Sequence, residues 1–344
     1  MEIREERQRG AVDDEVGALV AVTRPIVVAV LQSISAEVLD AAHFQRETLP
    51  LNLLGRLRKR SDGDCGIAFE YVIHDAVTRH EPTAMDRVTD ALRACRIEGG
   101  EPASILFAIE KAGSQQLIST KLDYITDDSR VLSGTRGQPV KLKKHLSSLA
   151  SAFRRPSARL NLPQSIGGLW KADLFLGSPE PDHWVGTTVK INRDQLEAAR
   201  GLRIAIVPSR AGRSDAIYRD EQRNLIVCPM PHDESFMQVF YEGWRIVQAL
   251  CEKDFRMPRE VDLPSPRHRE VARIYVERRD FPVAAVHEAT AKFAQPELLE
   301  TKPELVASAS FHGASDPLTS TVIGPFPRPV HSGMERRPRA PLRP

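Results

Sequence analysis

The chain is poor in everything that would mark it quickly. Its 48 lysines and arginines nearly balance 46 aspartates and glutamates, so it is no polycation, and any nucleic-acid footprint must come from local patches. Cysteines are few and widely spaced (Cys65, Cys95, Cys228 and Cys251). No C-x-x-C occurs and no histidine pair completes a zinc pattern, which excludes a disulfide scaffold and a zinc finger and predicts reduced, mostly buried thiols. The opening MEIREERQRG is charged and lacks the apolar core of a signal peptide. The apolar stretch from Val16 to Leu31 is interrupted by Arg24-Pro25 and reads as too short for a bilayer. These absences predict a soluble, cytoplasmic protein with no membrane partner. The polar segment Ser133-Gly-Thr-Arg-Gly-Gln lacks the spacing and the lysine of a P-loop and reads as a turn.

What is present is an ordinary globular share of apolar residues arranged in recognisable periods. Residues 1–55 read as helical, with Asp13-Asp14-Glu15 placing negative charge near a helix start and Pro25 opening a second helix. After the polar break Arg58-Lys-Arg-Ser-Asp-Gly-Asp, the run from Cys65 to Val77 has helical spacing, and Glu70 falls in its interior. A further helix is predicted near Met85–Cys95, and another from Lys141 to Phe153. Ile105-Leu-Phe-Ala fits a strand or a helix equally. The clearest alternation follows: strands at Ala172–Leu176 and Trp184–Ile191, a helix from Arg193 to Arg200 stopped by Gly201, strands at Arg203–Val207 and Leu225–Cys228, and an amphipathic helix from Ser235 to Lys253. Strands alternating with helices predict an α/β fold, a mixed central sheet flanked by helices. The division expected is a helical region over 1–55, the core over 56–255, a helical extension over 256–311 and a disordered proline-rich tail over 312–344.

The most informative stretch is Lys171–Asn192, KADLFLGSPEPDHWVGTTVKIN. A carboxylate, Asp173, enters one apolar strand, and the next strand ends on Lys190. Alternation places Thr188 and Lys190 on one face and Val189 on the other, and Asp173 on the neighbouring strand can face the same side. A carboxylate beside a lysine suits phosphodiester hydrolysis. Acids hold a divalent metal that contacts phosphate, and the cation orients water or offsets charge at phosphorus. Mg²⁺ takes only one or two protein carboxylates, so few ligands suffice.

A helix bearing Glu70, then Asp173 on a strand, a hairpin into Thr188-Val-Lys190, then helix, strand, strand and helix resembles the PD-(D/E)XK nuclease superfamily, which includes many type II restriction endonucleases. The resemblance covers about residues 60–255 in element order and is specific over 169–210. It implies an αβββαβ core, Asp173 and Glu70 as metal ligands, Lys190 as catalytic cation, Mg²⁺ as cofactor, and double-stranded DNA as substrate in a restriction or defence setting. Such enzymes often act as homodimers. Two positions depart from the pattern: Ala172 stands where the motif has proline, and Thr188 where it has its second acid. Glu70 or Asp182 is the candidate to replace that acid. A degenerate fold that binds DNA or protein without cutting is the alternative. Basic side chains at Lys141, Lys143, Lys144, Arg154, Arg155, Arg210 and Arg213 are the candidate DNA contacts. A third chemistry, Cys65 as nucleophile with His74 as base, needs no metal. His183 and His232 are isolated, and Trp184 and Trp244 read as core.

Overall fold

A computed structural model describes residues 2–58, 64–107, 125–132, 139–210, 214–232, 236–257, 263–294, 306–311 and 320–325. Residues 1–299 form one compact unit and 300–344 a second. The first is an α/β unit with a mixed, open sheet flanked by helices. Its helices are α1 (Glu2–Ser33), α2 (Ala36–Ala41), α3 (Leu51–Leu57), α4 (Asp64–Thr78), α5 (Pro82–Ala94), α6 (Leu142–Arg154), α7 (Phe236–Glu252), α8 (Pro266–Val276) and α9 (Val283–Thr290). Its strands are β1 (Ala103–Leu106), β2 (Arg130–Val131), β3 (Val140–Lys141), β4 (Leu174–Ser178), β5 (His183–Val189), β6 (Leu202–Pro208), β7 (Tyr218–Asp220) and β8 (Leu225–Met230). The segment open to either reading at Ile105 is thus a strand.

The sheet runs β1-β4-β5-β6-β8-β7, with β2 beside the start of β5 and β3 beside β2. β1, β4 and β5 are antiparallel neighbours, whereas β5, β6 and β8 are parallel. Apolar residues occur at successive positions of β6 and β8 because parallel strands are covered on both faces. Leu174, Leu176, Val185, Val189, Ile204 and Ile206 share one core with the helices. Phe175, Trp184, Ala205 and Val207 share a second core with α6 on the opposite face. The alternation of side chains along each strand produces this division.

Three expectations about elements need correction. Pro25 does not open a new helix; it lies inside α1, which runs unbroken. Proline removes one helical hydrogen bond, but residues 18–27 are buried throughout and their packing carries the helix past it. Within this continuous helix Glu15–Ser33 is, by length and composition, long and apolar enough to cross a membrane. It is nevertheless 83% buried inside the protein, packed against α4, α7, α8 and α9. Second, Arg193–Arg200 is not a helix. Only a 3-10 turn at Arg193–Gln195 forms, capped by the Asn192 side chain. The carbonyls of Leu196 and Arg200 are taken from outside, by Arg223 Nε at 3.1 Å and by the Gly168 amide at 2.9 Å. Gly201, at φ +99°, turns the chain into β6 as expected. Third, within the proline-rich 312–344 segment Ser320–Pro325 is a strand (β10), antiparallel to Val306–Phe311 (β9). The Ser133–Gln138 turn and Arg213 lie outside the described residues.

One glycine marks a close approach. A Cβ on Gly55 of α3 would lie 2.0 Å from the Cys251 carbonyl oxygen of α7. That neighbour is backbone and cannot rotate away. Gly55→Ala is expected to destabilise the protein by about 1–3 kcal/mol through overpacking, read as a lower urea midpoint. An unchanged midpoint would mean that α3 is free to move off α7.

Candidate active site

The register of the β4–β5 hairpin builds the site. Leu174 pairs with Thr187, so Asp173, one residue earlier, stands opposite Thr188, and Lys190 follows two residues on along the same face. The backbone of Asp173 is held on both sides: its amide donates to Thr187 O (2.9 Å) and its carbonyl accepts from Phe107 N (3.0 Å). Its side chain is 1% exposed. Its Oδ2 accepts from Thr188 Oγ1 at 3.1 Å, Val189 N at 2.9 Å and Lys190 Nζ at 2.8 Å. The Lys190 backbone in turn donates to Ile206 O (2.9 Å), which fixes the end of β5 against β6.

Glu70 arrives from α4. It is buried, and its Oε1 lies 3.8 Å from Lys190 Nζ. The four residues singled out in the sequence, Glu70, Asp173, Thr188 and Lys190, therefore meet around one ammonium although they come from three elements. Burial alone would lower the Lys190 ammonium, but the charges and hydrogen bonds of Asp173 and Glu70 outweigh it and hold the pKa above the ordinary lysine value. Lys190 is thus a fixed cation at neutral pH. The lysine's share of this stabilisation is fully present at neutral pH, where both carboxylates are ionised, and is lost as pH rises through the raised folded value.

Asp173, Thr188 and Lys190 open onto a cleft of about 570 Å³. Its other walls include Phe153, Trp170, Lys171, Gln195 and Glu197, none of which stood out in the sequence. Lys171 Nζ hydrogen-bonds Glu197 Oε2, and this bond, with the lysine charge, holds the Glu197 carboxyl below its usual range. Arg159 lies over the Trp170 ring, 3.5 Å from its centroid. Lys171 is two residues before Asp173 but lies in the 3-10 turn Leu169–Lys171, so strand alternation does not point to it. A helix over Arg193–Arg200 does not point to Glu197; the looped path is what brings it to this cleft.

Other candidates do not converge here. Asp182 stays in the hairpin turn, where it accepts from Thr126, Ser129 and Trp184, so it does not replace the acid absent at Thr188. Cys65 and His74 lie nine residues apart along α4, about 13 Å of helix rise, and His74 Nδ1 hydrogen-bonds Ser104 instead. They are no dyad. Burial pushes the Cys95 thiol up to about 11 and Cys228 to about 12, which keeps both protonated. The basic run is divided by α6. Arg154 and Arg155 follow Phe153 at the cleft, whereas Lys141, Lys143 and Lys144 sit at the far end of the helix, about 18 Å away. Lys143 pairs with Asp127 at 3.2 Å, and Arg210 lines a different cleft. Among the described residues no three His, Cys, Asp or Glu side chains converge as a metal site. Comparison of the chain with protein-family models, curated proteins and solved structures finds no match.

Proposed function

We propose that this chain is a metal-dependent endonuclease of restriction or defence type, hydrolysing phosphodiester bonds of double-stranded DNA on a PD-(D/E)XK-like core. The observation that carries the reading is the meeting of Asp173, Thr188, Lys190 and Glu70 at one end of the β4–β5 hairpin, beside an open cleft. The order α4, β1, β4, β5, β6 supports it, although the helix that this core places between its third and fourth strands is replaced here by the connection Lys190–Gly201. Asp173 and Glu70 fit Mg²⁺ in type and number, since that ion takes one or two carboxylates and keeps several waters. When bound, Mg²⁺ would polarise a phosphate oxygen and acidify its water. Lys190 positions its fixed positive charge where the phosphorus centre becomes more negative. Thr188 orients Asp173 through a hydrogen bond rather than supplying a carboxylate. Glu197 is the acid nearest in the chain that lines the same cleft.

A second reading, a non-catalytic DNA- or protein-binding module, is favoured by one detail. Three donors already converge on Asp173 Oδ2, and a ligand entering there must compete with them. Incubation with supercoiled plasmid in Mg²⁺, Mn²⁺ or EDTA separates the two. The nuclease reading expects nicked or linear product with metal and none in EDTA. Intact plasmid in every condition, with duplex binding retained, would establish the second reading.

A further inference from the structure

A second cleft, of about 430 Å³, opens at the C-terminal ends of β6 and β8. Arg193 from the β5–β6 connection and Arg210 from the end of β6 both line it, with Ser209, Ser214 and Tyr218. No described carboxylate forms part of its wall. Neither arginine makes an ion pair with a described acid, unlike Arg219 and Arg223 nearby, which pair with Glu221 and Asp220. Arg193 sits over the Tyr218 ring, its Cζ 5.0 Å from the centroid, and is held there by that contact. The Tyr218 hydroxyl is buried with no hydrogen-bond partner among the described residues. Two guanidinium groups around one concavity repel each other unless an anion lies between them. The guanidinium fork matches phosphate oxygens in particular.

The position of this cleft names the source of the phosphate. Arg193 lies three residues beyond Lys190, an extended reach of at most about 11 Å. The same connection supplies Gln195 and Glu197 to the cleft of Asp173 and Lys190, so both clefts share one wall. A ligand carrying phosphates at regular intervals can occupy both. We infer that Arg193 and Arg210, with Ser209 and Tyr218, form a phosphate subsite that holds a nucleic-acid backbone phosphate flanking the one presented to Lys190. The inference rests on the proposed nuclease reading only for the role of the second phosphate. The subsite itself is an anion site with or without cleavage.

The test is fluorescence anisotropy of a labelled DNA duplex in EDTA, across a series of KCl concentrations. It compares wild type, Arg193→Ala, Arg210→Ala and, as a control of equal charge loss, Arg219→Ala. Both cleft arginines are exposed, so the variants are expected to fold. Each cleft variant should bind roughly tenfold more weakly, with a salt dependence shallower by about one phosphate contact. The control should change by less than about twofold. Thermal shift with inorganic phosphate reads the free anion: phosphate should protect wild type and not the two cleft variants. Duplex affinity and salt dependence unchanged in both cleft variants, or no duplex binding by wild type, overturns the backbone assignment. If phosphate protection is lost in those variants while duplex binding is not, the cleft serves a small phosphoester and the assignment to nucleic acid is again overturned. Arginine-dependent duplex binding without cleavage in any metal leaves the subsite standing and removes only the nuclease reading.

Discussion

Lys190→Ala should abolish metal-dependent cleavage, by at least about 10²- to 10³-fold, the scale on which removing one preorganised charge-stabilising donor acts. The substitution does two separable things. It removes the cation that faces the cleft, and it leaves Asp173, 1% exposed, without its 2.8 Å ammonium partner. Breaking a buried pair from one side costs about 3–5 kcal/mol because the remaining charge is stranded. A drop in cleavage could therefore come from unfolding alone. The companion variant is Asp173→Asn with Lys190→Met, which neutralises both members of the 2.8 Å pair and leaves only Glu70, 3.8 Å from the ammonium, without its cation. This double variant should recover stability relative to Lys190→Met alone while cleavage stays absent. A folded but inactive double variant shows that the loss is not one of fold and assigns it to the Asp173–Lys190 pair as a unit. If Lys190→Ala keeps wild-type cleavage with Mg²⁺, the ammonium has no part in the reaction and the nuclease reading built on it fails.

The site was more legible than the fold around it, for a physical reason. Asp173, Thr188 and Lys190 lie on adjacent antiparallel strands joined by a short hairpin, and in that geometry the two-residue period and the turn fix which side chains meet. Their convergence is local information. Glu70 is different. Its place in a helix follows from apolar spacing, but its approach to Lys190 depends on how α4 packs across the end of the sheet, and that is set by contacts with α1, α5, α7, β1 and β5. The Arg193–Arg200 segment shows the opposite failure. Its residues favour a helix, yet Arg223 takes the Leu196 carbonyl that helical bonding would need, and the Gly168 amide holds the segment's last carbonyl, at Arg200; propensity is a weak prior against such tertiary bonds. The looped path is what carries Arg193, Gln195 and Glu197 to the two clefts. Pro25 misled for the same reason: the sequence shows a helix breaker, whereas the packing of α1 against four helices outweighs one missing hydrogen bond.

Trp184→Ala is expected to cost about 3–5 kcal/mol, the range for removing a large buried aromatic side chain. Trp184 is wholly buried in the core on the α6 side of the sheet, so truncation leaves a cavity that strands held on both sides cannot close. The indole also anchors polar structure. Its Nε1 donates to Asp182 Oδ1 at 3.0 Å, and Asp182 accepts as well from Thr126 Oγ1 at 2.5 Å and Ser129 Oγ at 2.6 Å. The Trp184 carbonyl accepts from Leu132 N at 2.8 Å, tying the β2 segment to β5. Trp184→Phe weights the two contributions differently, because it keeps a six-membered ring in the core and deletes the donor together with the rest of the indole. It should cost about 1–3 kcal/mol, the lost hydrogen bond plus a small cavity. Burial alone would raise the Asp182 carboxyl, but the hydrogen bonds from Ser129, Thr126 and Trp184 hold it below its usual value. Asp182 therefore contributes stability above the ordinary aspartate pKa, and that contribution is lost as pH falls through the lower folded value. Trp184→Phe should reduce this acid dependence without changing stability at alkaline pH by more than the lost hydrogen bond and the small cavity. Chemical unfolding at pH 3 to 8 reads both effects. Equal losses for Trp184→Ala and Trp184→Phe would show that the hydrogen-bonded turn, rather than the buried ring, holds β5 and the lysine at its end.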